Sequence, residues 1–82
     1  MEHYVVIRDS AFDYDGKVAI LGVTHSLDEA KAIFYDCVRW DRNDAEECEY
    51  AVYTDNEEEF DAGEEGYYAK DHIRLYIQKV SK

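Results

Sequence analysis

Read for hydrophobic and polar alternation, the chain divides into five patterned stretches. His3–Arg8 (HYVVIR) and Lys17–Thr24 (KVAILGVT) are short β-branched runs with the composition of strands. Asp15-Gly16, directly before the second run, is a turn signal, so the two predict a hairpin with a long or bulged loop. From Leu27 the period changes. Leu27, Ala30, Ile33, Phe34, Cys37 and Val38 recur at helical spacing, with Lys31, Tyr35, Asp36 and Arg39 on the other side. Ser26 and Glu29 form a capping box in which hydroxyl and carboxylate each satisfy a backbone donor left free by the first turn. The expected helix runs from Leu27 to about Arg42. Cys48–Thr54 (CEYAVYT) predicts a third strand and His72–Val80 (HIRLYIQKV) a fourth. In the fourth, Ile73, Leu75 and Ile77 face one way and Arg74, Tyr76 and Gln78 the other.

One helix covers one face of a four-stranded sheet. The expected fold is therefore α+β: a ββαββ two-layer sandwich, mainly antiparallel, with a loop between strands three and four. Eighty-two residues leave room for one domain and no second core. The connection between strands three and four is long for a compact domain and predicts a short helix within it. Asp55 would be its N-cap, Glu57–Glu59 would sit at the positive end of its dipole, and Gly63 would end it. Phe60, with Tyr67 and Tyr68 from the far side, would pin this segment to the body. Tyr76 faces away from the helix, with Tyr4 and one of Tyr50 or Tyr53 expected beside it as a tyrosine-lined surface.

Charge is unevenly distributed along the chain. The formal net charge is −11, from 20 acidic and 9 basic residues. Residues 41–65 hold twelve acids against the single base Arg42, while the other 57 residues carry eight of each sign. All the excess therefore lies in one segment, a concentration that general solubility does not require. Thr54–Gly66 (TDNEEEFDAGEEG) is its centre. Such a charge disfavours direct binding to nucleic acid, whose phosphates are met by lysine and arginine. It favours the basic grooves of proteins that bind nucleic acid, because opposite fields steer association.

Candidate chemistry is sparse. His3, His25 and His72 are scattered at element ends, and Ser26 is explained by its cap. No nucleophile–base arrangement or glycine-rich phosphate cradle is present, so a non-enzymatic protein without a cofactor is expected. Asp13, Asp15 and Gly16 look like the middle of a calcium loop, but that register places Ala11 and Gly22 at the first and twelfth ligand positions. Cys37 and Cys48 have no close-spaced ligand partner for zinc, so no metal site is expected. The thiols read as a buried hydrophobe and a free cysteine. With no apolar run of membrane-spanning length and no basic, apolar leader at Met1-Glu2-His3, they suggest a cytoplasmic protein.

In size, strong negative charge, tyrosine content and the stretch YAVYTDNEEEFDAGEEG on an α+β body, the chain resembles small acidic proteins of phages and mobile elements that block host nucleases. These are the DNA-mimicking anti-restriction and anti-CRISPR proteins. The order strand, YDG turn, strand, helix, AVYTDNEEEF is also loosely similar to the opening domain of ArdA anti-restriction proteins. The acidic stretch is spaced differently, and the chain is far shorter. The resemblance implies an inhibitor or decoy whose carboxylates stand in for phosphates in the basic groove of a nuclease or CRISPR effector. Asp55, Glu57, Glu58, Glu59, Asp61, Glu64 and Glu65 would carry it. Glu46, Glu47 and Glu49 would extend the charged surface, and Phe60, Tyr67 and Tyr68 would shape it. The alternative is an accessory domain that binds a basic protein, or itself, through the tyrosine face, with the acidic loop only solvating.

Overall fold

The computed structural model describes residues 2–12, 15–66 and 69–81. One helix packs on a five-stranded, wholly antiparallel sheet: β1 (Glu2–Phe12), β2 (Asp15–Thr24), α1 (Leu27–Glu47), β3 (Ala51–Asp55), β4 (Glu59–Gly63) and β5 (His72–Ser81). The spatial order is β2-β1-β5-β4-β3. Thus β2 and β3 are the edges, and the chain returns by β5 to the centre.

The α+β class and the helix-on-sheet layering agree with the sequence pattern; the strand count does not. The acidic stretch contains a fifth strand in place of the expected loop or short helix. Asn56 explains the turn. Its side-chain Oδ1 accepts the backbone N–H groups of Glu58 and Glu59 at 2.9 Å each, and its own N–H donates to the Glu59 carbonyl at 3.0 Å. This Asx turn reverses the chain. Residues 59–63 then alternate, with Phe60 and Ala62 buried and Glu59 and Asp61 half-buried on the opposite face. Gly63 belongs to this strand and ends no helix. A Cβ there would lie 2.7 Å from the Asp71 carbonyl oxygen, so only glycine allows β4 to approach the start of β5 so closely.

Other boundaries also move. β1 extends to Phe12 and β2 starts at Asp15, so strands occupy most of the expected hairpin loop. The bulge lies farther along, where the register shifts between Val6 and Ile7. Leu21 falls in that shift and packs towards the core, while Ile20 points to solvent. The helix extends one further turn, to Glu47, and Cys48 is its C-cap rather than a strand start. Ser26 caps the N-terminus, its Oγ accepting the Glu29 N–H at 3.4 Å.

The core lies between α1 and the sheet. Ala30, Phe34, Val38 and Ala45 meet Val6, Phe60, Ala62 and Leu75, with Tyr4, Leu21, Ile33, Cys37, Tyr50 and Ile77 packed around them. Burial and the Asp41 carboxylate push the Cys37 thiol above its ordinary pKa, as expected of an unreactive hydrophobe. Among the described residues, no helix is long and apolar enough to cross a membrane.

Candidate functional site: an acidic end

The fold divides the acidic segment in two. β3 and β4 form a hairpin, with Asp55, Glu57 and Glu58 at its turn and Glu64 and Glu65 at its other end. Six residues of extended chain separate Glu58 from Glu64, about 20 Å. The C-terminus of α1 also reaches the Glu64 end, because the Tyr50 N–H donates to the Ala45 carbonyl and Ala51 pairs with Gly63. Glu46, Glu47 and Glu49 therefore join Glu64 and Glu65, and Asp44 lies one turn back on the helix. Glu57 and Glu58 belong to the opposite end of the hairpin.

Pairing separates the two groups chemically. Arg42 Nε donates to Asp55 Oδ1 at 3.1 Å, Lys31 lies 3.4 Å from Glu57, Arg74 Nε donates to Glu59 at 2.8 Å, and His72 meets Asp61. The first two pairs line an open groove of about 580 Å³ between α1 and the hairpin turn. Three of the seven carboxylates in Thr54–Gly66 thus face cations donated by α1 and β5, which lowers the local field of the hairpin, and a fourth, Asp61, is hydrogen-bonded to His72. By contrast, Asp44, Glu46, Glu47, Glu49, Glu64 and Glu65 make no ion pair among the described residues.

The site is also costly to the fold. The last turn of α1 contains no base, so Asp44, Glu46 and Glu47 lie at the negative pole of the helix dipole, where cations are favoured. The helix ends in a Schellman arrangement: Tyr50 N–H to the Ala45 carbonyl at 2.9 Å and Glu49 N–H to the Glu46 carbonyl at 3.2 Å. Its left-handed position ordinarily takes glycine. Glu49 occupies it with φ 57°, adding backbone strain and another negative charge. Glu49→Gly is therefore expected to stabilise the protein by about 0.5–1 kcal/mol. That corresponds to a Tm roughly 3–6 °C higher. Glu49→Gln, which leaves the backbone cost in place, should move Tm less. A lower Tm for Glu49→Gly would refute this reading of the helix end.

Of the other candidate residues, Phe60 is fully buried beneath α1, so it pins the hairpin to the body and presents no side chain that could shape a contact surface. Tyr67 and Tyr68 lie outside the described residues. The expected tyrosine surface does not assemble: Tyr4 and Tyr50 pack against the core, Tyr53 is exposed at a register shift on the β3 edge, and Tyr76 lies beneath the Arg74 guanidinium. Alternation places Tyr4 with Val6 and Arg8 on the helix side, whereas Tyr76 pairs with Ile7 on the open side. Burial and a 2.8 Å hydrogen bond donated to Asp71 hold the Tyr50 phenol well above its usual pKa, so it is a protonated clamp between the helix end and the start of β5.

Sequence reasoning missed two functional placements. Asp41 belongs to the acid-rich segment 41–65, yet it is only 4% exposed and bound to Arg8. The carboxylates at the helix end, expected only to extend the acidic stretch, hold most of the unpaired charge. Continuing the Ala30–Phe34–Val38 spacing to Asp41 and Ala45 would have revealed both the longer helix and the inward carboxylate. Comparison of the chain with known protein families, with curated proteins and with solved structures found no match.

Proposed function

We propose that the protein is a non-enzymatic decoy, with the acidic end of the molecule occupying a basic nucleic-acid groove on a nuclease or another nucleic-acid-binding protein. Glu46, Glu47, Glu49, Glu64 and Glu65 lead the contact, with Asp44 beside them. The hairpin residues Asp55, Glu57, Glu58, Glu59 and Asp61 contribute less, because all except Glu58 already face a base. The observation supporting this reading is the gathering of six unpaired carboxylates, four of them at a helix terminus that disfavours them and one of those in a strained backbone position. Local choices that oppose stability point to a role other than folding. An acidic surface of this kind is steered into a positive groove, and its carboxylates take the places of phosphates there.

A displacement assay tests the proposal. A labelled DNA duplex is bound to a basic, sequence-nonspecific nuclease under non-cleaving conditions, and the protein is titrated in. The expected result is release of the duplex, with an affinity that falls steeply as salt is raised. The protein alone should leave the duplex unshifted in a gel. A duplex shifted by the protein itself near physiological salt would reject the decoy reading.

A further inference from the structure

The other conspicuous surface lies at the far edge of the sheet from β3. The face of the sheet away from α1 carries Val5 and Ile7 from β1, Val18, Ile20 and Val23 from β2, and Tyr76 from β5. On β2 these side chains are bare: Val18 is 70% exposed, Ile20 67% and Val23 61%. β2 is also an edge strand of ten residues, with its outer backbone groups unpaired by any strand of the sheet. Edges are ordinarily protected by proline, short length or charge. β2 has no proline, and its only charges are Asp15 and Lys17, which cancel.

We propose that a second copy of this chain pairs with β2, antiparallel across a two-fold axis, to make one continuous ten-stranded sheet. The sequence of β2 complements itself in this arrangement. With Ala19 opposite Ala19 of the second copy, Val18 lies opposite Ile20 and Ile20 opposite Val18, all four on the open face. Cross-strand β-branched pairs of this kind are the favourable unit of sheet pairing. A small residue at the axis lets the backbones approach.

Charge selects this edge. A copy with a net charge of −11 repels another unless the contact is neutral and the excess is remote. The β2 edge is neutral, whereas the β3 edge is flanked by the acidic segment. β3 lies four strand spacings from β2, about 19 Å, and the β3 edges of a pair would be separated by nine spacings, about 40 Å. Both distances exceed the screening length of about 8 Å at physiological ionic strength. The antiparallel axis also points the two acidic ends in opposite directions. Because β3 is short and acid-flanked, pairing at β2 closes a dimer instead of propagating a fibre.

Sedimentation equilibrium over a concentration series tests the inference. The wild-type chain should approach twice 9.6 kDa. Ile20→Lys, which places a charge opposite Val18 of the partner, should remain at 9.6 kDa with an unchanged circular dichroism spectrum, because Ile20 contributes little to the core. Ala19→Cys in a Cys48→Ser background should give a reducible, covalently linked pair when oxidised with diamide. Val52→Cys, exposed on the β3 edge, should not. A wild-type chain that stays monomeric throughout, an Ile20→Lys variant that still dimerises, or Val52→Cys linking as readily as Ala19→Cys would each overturn the proposal.

Discussion

Phe34→Ala should remove about 3–5 kcal/mol of stability. Phe34 sits at the middle of α1, is 2% exposed, and belongs to the cluster containing Val6, Val38, Phe60 and Leu75, contributed by four elements. Truncation loses the transfer energy of the ring and leaves a cavity that a helix tethered at both ends cannot close. A chain of 82 residues is expected to hold about 4–12 kcal/mol in total. The loss is therefore a large fraction, and urea denaturation should show a sharply lower midpoint or no folded baseline. An unchanged midpoint would mean that α1 does not pack on the sheet through this face.

The second large effect is expected at Asp41. Its carboxylate accepts from Arg8 Nε at 3.2 Å and Nη2 at 3.1 Å, while Arg8 Nη1 donates to Ser10 Oγ at 3.3 Å. The pair joins the second-last turn of the helix to the centre of β1. Asp41→Ala leaves the guanidinium half-buried without its counter-charge and should cost about 2–4 kcal/mol, below the full penalty for a buried pair because Arg8 retains some access to water. Replacing both partners, Arg8→Met with Asp41→Leu, should recover most of that loss, because matched apolar groups need no compensation. A double variant no more stable than Asp41→Ala alone, measured by the same denaturation, would show that the charge imbalance is not the cause.

These two residues mark how much of the molecule could be read from its sequence. The Phe34 face was legible because Ala30, Phe34 and Val38 repeat at helical spacing and Ser26 announces the start. The period-two pattern of Ile73 and Leu75 was equally plain. Asp41 was obscured by its neighbours: within a run of acids, a carboxylate that points inward has the same letter as one that points to water. β4 was missed for a related reason. Phe60 and Ala62 alternate correctly with Glu59 and Asp61, but strand propensity is low for Glu, Asp and Gly. The strand exists because burial of Phe60 and the Asn56 turn override that preference. The acidic site was legible as a segment and not as a surface. Cations distant in sequence, Lys31 and Arg74, return to the hairpin only when the sheet forms, and they neutralise part of what the linear count assigned to it.

The division between paired and unpaired carboxylates lets the proposed contact surface be removed without touching the hairpin. Glu46, Glu47, Glu49, Glu64 and Glu65 are changed together to Gln in one variant, and Glu57, Glu58, Glu59 and Asp61 to Gln or Asn in a second. Both keep the side-chain shapes, and the second loses only exposed or half-exposed pairs of small worth. Each protein is immobilised and exposed at low salt to a cell lysate, and bound proteins are eluted first with duplex DNA and then with high salt. The wild-type and hairpin-variant surfaces should retain nucleic-acid-binding proteins displaced by duplex DNA, whereas the five-fold variant should lose that fraction at least about tenfold while remaining folded. Retention of the same DNA-displaced proteins by the five-fold variant at the wild-type level would contradict the decoy reading.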